Sequence, residues 1–176
     1  MCNEEKDIEN IYRILETMLY NYAAYKAIRN HSAKEYGVLF RPDIRLFWAI
    51  VSNNCLQMSA VDWCKVFGSK NNNKTHFSHF IDPDIFESKL SRESVDLVTC
   101  SKEMKSFRDK YISHSDNYDS PVPYFDSSLK VVFIFDAAVK ERYREQTDVF
   151  PNLRETYLNY MEILEDYIRE IKLNEC

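Results

Sequence analysis

The sequence predicts an all-α fold, a helical bundle of four to five long helices with one short extra helix. Apolar residues recur at spacings of three and four over most of the chain, which is the pattern of amphipathic helices. Only 2 of the 176 residues are glycine, whereas hairpin-rich sheets depend on tight turns with positive φ. A chain of this length with 45% hydrophobic residues fills one core and is short for two. We therefore expect residues 1–176 to form a single helical domain.

Two long helices are expected in the first part of the chain. The first spans about residues 5–30 and places one apolar stripe at Ile8, Ile11, Tyr12, Leu15, Met18, Leu19 and Tyr22. Pro42 and Asp43 offer a start signal for the second helix, and Gly68 is its natural end. Its apolar residues at helical spacing are Ile44, Phe47, Trp48, Val51, Cys55, Met58 and Val61.

A polar loop and two further helices follow. Asn, Ser and Lys dominate the residues after Gly68, and Asp82 with Pro83 forms a cap and a first helical position for a short helix through Leu90. A longer helix is expected from about Ser94. Its stripe contains Val95, Val98, Met104, Phe107 and Tyr111, and His114 falls in its last turn.

The last part of the chain contains one ambiguous segment. Its β-branched residues would let "LKVVFIF" pass for a strand. A helix is favoured because "DAAVKERYREQ" continues the segment at helical spacing, through Leu129, Val132, Phe133, Val139 and Tyr143. After Pro151, a last long helix carries Leu153, Tyr157, Tyr160, Leu164, Tyr167, Ile168 and Ile171.

The composition and charge of the chain exclude some classes of function. The formal net charge of -5 argues against a protein that coats nucleic acid non-specifically, because neutralising phosphates needs a surplus of Lys and Arg. The acidic N-terminus "MCNEEKDIEN" has no apolar segment typical of secretory signals, and no apolar run approaches the roughly 20 residues of a bilayer span. A soluble cytoplasmic protein with reduced thiols is expected, since its five cysteines are widely spaced and include no C-x-x-C pair.

His76 and His79 are a weak candidate for a metal site. Their two-residue gap could bridge an ion, but no third ligand follows closely and the flanking phenylalanines indicate packing. No phosphate-cradling glycine loop and no Gly-flanked serine nucleophile occur in the sequence. We expect neither a metal nor a cofactor.

The stretch "SFRDKYISHSDNY" is the strongest candidate for chemistry. Arg108 and His114 stand six positions apart, and Asp109 directly follows the arginine. The surrounding segment is rich in cations, with Lys102, Lys105 and Lys110 off the apolar stripe. A run of this kind is also typical of a solvated helix face.

This stretch resembles the motif of the HEPN (higher eukaryotes and prokaryotes nucleotide-binding) superfamily, whose members are all-α bundles of about this length. Active members carry Arg, a polar residue and then His, which Arg108, Asp109 and His114 match, and "FRDKYISHSD" looks like the abortive-infection branch. The resemblance implies a toxin–antitoxin or abortive-infection endoribonuclease that works as a homodimer, with an antitoxin protein as a possible partner. In toxins of this superfamily that are silenced by modification of a tyrosine, that tyrosine lies two residues after the His. Here Asp116 occupies that position and the first tyrosine is Tyr118, so this mode of regulation does not carry over.

Helix geometry favours a composite site. Six positions separate two side chains by about 120° around the axis and about 9 Å along it, so one helix does not aim Arg108 and His114 at one atom. A two-fold dimer would bring two copies of the motif together. His114 would then act as general base on the RNA 2′-hydroxyl and as general acid on the leaving 5′-oxygen, while Arg108 binds the phosphate. Asp109 would hold either Arg108 or His114 by a hydrogen bond. The lysines expected to bind substrate are Lys102, Lys105 and Lys110.

Two other interpretations stay open. The chain could be a non-catalytic helical module of the same fold that binds a partner protein or a nucleotide, with Arg108 and His114 at a polar interface. It could also be a helical protein on which Arg108 and His114 are simply exposed.

Overall fold

The chain folds into α-helices connected by loops. The computed structural model describes residues 3–32, 44–113, 122–123, 125–143 and 150–173, and no strand occurs in these ranges. The six helices are α1 (Asn3–Ser32), α2 (Arg45–Phe67), α3 (Pro83–Arg92), α4 (Leu97–Ser113), α5 (Phe125–Arg142) and α6 (Leu153–Leu173), with a 3₁₀ turn at Phe77–His79. The all-α prediction is confirmed: five helices are long and α3 is the short extra one.

Helix α1 lies at the centre and packs against α2 and α6. All seven residues of its predicted stripe are buried, and they join a cluster to which every helix contributes. The Ser59 hydroxyl of α2 donates a hydrogen bond to the Met18 carbonyl, while the end of α1 at Ile28 packs near Trp48 at the start of α2. Helices α1 and α2 are therefore antiparallel.

The predicted face of α2 is wrong in part. Phe47 and Met58 of its predicted stripe are exposed, while the buried face carries Ser52, Leu56, Ser59, Ala60, Trp63 and Phe67. Helix α2 is apolar around much of its circumference, so spacing alone does not identify the inward face. Small side chains such as Ser59 and Ala60 face inward because α1 approaches closely there.

The signals at the helix ends were better guides. Asp82 accepts hydrogen bonds from the N–H groups of Asp84 and Ile85 at the start of α3, as its cap position predicts. Helix α2 ends at Gly68, where a Cβ would collide with the Cys64 carbonyl oxygen. The "LKVVFIF" segment lies within α5, which confirms the choice of helix over strand.

One buried carboxylate ties three helices together. Asp136 of α5 accepts a 2.7 Å hydrogen bond from the Tyr12 hydroxyl of α1 and a 3.1 Å bond from the Lys140 ammonium. Its Oδ2 also accepts from the N–H of Leu153, the first residue of α6, at 3.3 Å. Burial, then the charge of Asp136 and its hydrogen bond, raise the pKa of Tyr12 far above its ordinary value. We refer to Tyr12, Asp136, Lys140 and Leu153 as the core carboxylate network.

None of the helices within the described ranges combines the length and the apolar character needed to cross a bilayer.

Candidate active site on helix α4

Helix α4 presents Arg108 and Asp109 of the candidate motif on the outside of the bundle. It begins at Leu97, three residues later than predicted, because Ser94 has a positive φ of 56°. The Asp96 carboxylate accepts from the Val98 N–H at 2.9 Å and from the Thr99 hydroxyl at 2.6 Å, which caps the helix. These two bonds, that from Thr99 first, lower the pKa of Asp96.

The buried residues of α4 show which side of the helix is exposed. Met104 and Phe107 of the predicted stripe are buried, and so is Cys100, but Val98 is exposed, contrary to prediction. Helix α4 packs against α2 and also touches α5. Lys105 and Arg108 each follow a buried residue by one position, so they lie at the edge of the contact with α2 rather than on the far side.

Arg108 and Asp109 form a pair within one helix turn. The Arg108 Nε donates to Asp109 Oδ1 at 2.8 Å, and Nη2 lies 2.7 Å from the same oxygen. The Arg108 side chain is 34% exposed and that of Asp109 is 61% exposed. The hydrogen bond to Asp109 raises the pKa of Arg108, so the guanidinium is permanently charged. Asp109 therefore holds the Arg108 side chain, while the catalytic role of the two residues stays a prediction.

Cys64 of α2 is a neighbour that sequence reasoning did not connect with the motif. Burial raises the pKa of its thiol to about 11, and the positive charges of Arg108 and Lys105 oppose that shift without reversing it. The thiol is therefore neutral at pH 7, which makes it a packing group and a poor nucleophile.

The predicted substrate-binding lysines do not share one face. Lys105 is about 60° from Arg108 around the α4 axis and Lys102 is about 120° away, whereas Lys110 is about 160° away and nearly opposite. Lys102 and Lys110 are both exposed, and Lys105 is half-buried. The side of α4 that carries Arg108 therefore includes Lys105, borders on Lys102 and excludes Lys110.

His114 lies outside the described residues, one position beyond the last residue of α4. The pairing of Arg108 with His114 and the two-fold arrangement of two motifs therefore stay predictions.

His76 and His79 have structural hydrogen bonds. The His76 Nδ1 accepts from the Ser78 N–H at 3.3 Å and lies 2.9 Å from the Ser78 hydroxyl, which caps the 3₁₀ turn. Burial, the largest cause, lowers the pKa of His76, so its ring is neutral at pH 7. The His79 Nε2 lies 3.1 Å from the Asn73 carbonyl oxygen. Where the structure describes the chain, no group of three or more His, Cys, Asp or Glu side chains is arranged to hold a metal ion.

Comparison with known proteins adds no relative. No family model, no curated protein and no solved structure matches the chain.

Proposed function

We propose that this protein is a metal-independent endoribonuclease of the HEPN type, acting in the cytoplasm within a toxin–antitoxin or abortive-infection system. The observation that carries the proposal is the partly exposed Arg108 guanidinium, aligned by Asp109 at 2.8 Å beside Lys105. A permanently charged, planar group held in place on a bundle surface is suited to bind the two non-bridging oxygens of a phosphate. The all-α fold and the sequence motif support the same proposal.

The proposed reaction forms no covalent bond between the RNA and the protein. A base removes the proton of the RNA 2′-hydroxyl, the oxygen attacks the adjacent phosphorus, and the bond to the 5′-oxygen breaks as an acid protonates it. The products are a 2′,3′-cyclic phosphate and a 5′-hydroxyl. His114 from one protomer serves as base and His114 from its partner as acid, because histidine exchanges protons near neutral pH.

Arg108 offsets the charge that grows on the phosphate during this step. Asp109 engages one edge of the guanidinium through Nε and Nη2, and arginine has five N–H donors in all. Donors on the other edge of the fork can then face an anion. Lys105 adds a second positive charge on the same side of α4. In this arrangement Asp109 is a positioning residue, since it acts through Arg108.

A binding module is the second candidate, and one surface favours it. Leu46, Phe47 and Ile50 near the start of α2 are 71%, 59% and 51% exposed. Groups of exposed apolar side chains often mark protein contacts. A module that only binds a partner would use this surface and would not require Arg108 or His114 for turnover.

Expression in a bacterial host separates the two candidates. An active toxin slows growth and degrades RNA in the wild type but not in His114→Ala. Arg108→Ala should behave as His114→Ala does, and Arg169→Ala is its matched control, because Arg169 is an exposed arginine on α6 whose partners are Glu165 and Asp166. Equal growth and intact RNA in wild type and His114→Ala, at equal protein levels, would favour the binding module.

A further inference from the structure

A groove between α3, α5 and α6 carries a second cluster of cations. It runs along the outer face of α5 and has a volume of about 430 Å³. Lys89 and Arg92 of α3 border one side, Arg154 of α6 borders the other, and Lys130 projects from α5 itself. None of these four residues belongs to the α4 motif.

The floor of this groove is apolar. Phe133, Ile134 and Ala137 of α5 line it. The Arg154 guanidinium lies 5.8 Å from the centroid of the Phe133 ring, a cation–π distance that holds the arginine over the floor. The groove thus combines positive borders with an aromatic surface.

Positive charge prevails in the groove. Among its lining residues Glu93 is the acid, and Glu141 pairs with Lys89 at 2.6 Å from outside. Four cations against two acids leave a local charge of +2, in a chain whose formal net charge is -5. Cations from three different helices converge here although the molecule as a whole is acidic.

The groove and the α4 motif lie on different sides of α5. The Ser128 hydroxyl of α5 lies near the Cys100 thiol of α4, so that side of α5 faces α4. Ala137 follows nine residues later, which is about 180° around the axis. A ligand in the groove therefore does not touch the Arg108 side of α4 within one protomer.

We propose that this groove binds the phosphates of a short single-stranded RNA segment. Positive grooves with aromatic surfaces are the common way of holding single strands without reading their sequence. The inference rests on the proposed function, for which it supplies a contact with the RNA away from the scissile phosphate. An extended strand is favoured over a free nucleotide because the groove is open along its length, whereas small-ligand sites enclose most of the ligand.

The test measures binding with an RNA that cannot be cleaved. A fluorescent 2′-O-methyl oligonucleotide of about 12 residues, within the site sizes of single-strand-binding folds, is titrated into the full-length protein. Its anisotropy is followed at several salt concentrations. The test variant is Lys130→Gln with Arg154→Gln, and the control is Lys6→Gln with Arg169→Gln, which removes two exposed charges from α1 and α6. Lys130→Gln alone serves as a second variant, since Lys130 is an exposed residue of α5.

The test variant should bind roughly tenfold or more weakly, and its slope of log K against log salt should become shallower by about 0.7 for each phosphate that the protein no longer neutralises. The control should bind as the parent does. Equal affinity of parent and test variant, no binding by the parent, or displacement of the oligonucleotide by micromolar AMP or inorganic phosphate would overturn the proposal. Cleavage of ordinary RNA is scored separately, so a loss of binding in an inactive protein would refute the ribonuclease and keep the groove.

Discussion

Asp136 and Asp109 each bind a cationic side chain, but one lies in the core and the other on the surface. The Asp136 side chain is 8% exposed and its partners come from α1, α5 and α6. Asp109 is 61% exposed and its partner Arg108 is the next residue back in the chain. The first carboxylate fixes how helices meet, whereas the second fixes only the orientation of one guanidinium.

We therefore expect Asp136 to contribute to stability and Asp109 to contribute to function. Removing either a buried carboxylate or the groups paired with it lowers the stability by several kcal/mol, because the remaining group is left unpaired. An exposed ion pair contributes at most about 1 kcal/mol to the stability. The fold therefore has no need of the Arg108–Asp109 pair. An aligned charge that the fold does not need is a reasonable place for ligand binding.

The largest expected effect is on the core carboxylate network. Asp136→Ala should lower the free energy of unfolding by about 3–5 kcal/mol, because it leaves the Tyr12 hydroxyl and the Leu153 N–H without their acceptor and removes the ion pair with Lys140. Urea unfolding followed by circular dichroism measures it. Asp109→Ala is the matched carboxylate and should cost less than about 1 kcal/mol. Similar losses for the two variants would remove the contrast between the two regions.

Arg108→Lys should have a large effect on the cleavage rate and almost none on stability. Removing a preorganised donor to a developing charge typically costs about 10²–10³ in rate, and a lysine keeps the charge but loses the planar fork. The free energy of unfolding should change by no more than about 0.5 kcal/mol, as at most surface sites. Single-turnover cleavage of a labelled RNA and urea unfolding give the two numbers. Arg169→Lys is the control, and a rate for Arg108→Lys equal to the control's would exclude a phosphate contact.

The tyrosine of the network gives a smaller, pH-dependent effect. Tyr12→Phe leaves one oxygen of Asp136 without its donor, which should cost about 1–3 kcal/mol at pH 7. In the wild type, the pKa of Tyr12 is raised when folded, so above its ordinary value of about 10 the unfolded chain binds fewer protons and stability falls as pH rises. Raised pKa values of about 12 for Tyr157 and about 11 for Cys64 act in the same direction.

Tyr12→Phe should therefore lose stability less steeply than the wild type above about pH 10. Urea unfolding at a series of alkaline pH values measures both slopes. A steeper fall in Tyr12→Phe would show that another group governs the alkaline transition.

The α4 lysines should show the smallest effects. Lys105→Ala should raise the KM for RNA by a few fold, because Lys105 shares a side of α4 with Arg108. Lys110→Ala should leave the KM nearly unchanged, because that residue projects almost opposite. Steady-state cleavage of the same RNA compares the pair. A larger effect from Lys110 would place the RNA on the other side of α4.

The sequence predicted local features well and tertiary ones unevenly. The α1 stripe, the Asp82 cap and the end of α2 at Gly68 are local signals, and all three are confirmed. The inward face of α2 was misjudged because its outer side is also apolar, as Phe47 illustrates.

The spacing of residues along the sequence does not reveal contacts between residues that are far apart in the chain. Tyr12 and Asp136 are 124 positions apart, and no pattern in either segment indicates that they meet. The cationic groove is likewise assembled from α3, α5 and α6, each of which contributes one or two cations of ordinary spacing. The Arg108–Asp109 pair was identified because its members are adjacent in the sequence.

The most direct test of the proposed ribonuclease is cleavage of a labelled RNA in the presence of EDTA by wild type and by His114→Ala, with the product ends mapped. We expect cyclic phosphate ends from the wild type and a rate lower by about 10²–10⁴ from the folded variant, which lacks its proton-transfer group. Cleavage that disappears with EDTA, or that persists unchanged in His114→Ala, would contradict the proposed mechanism.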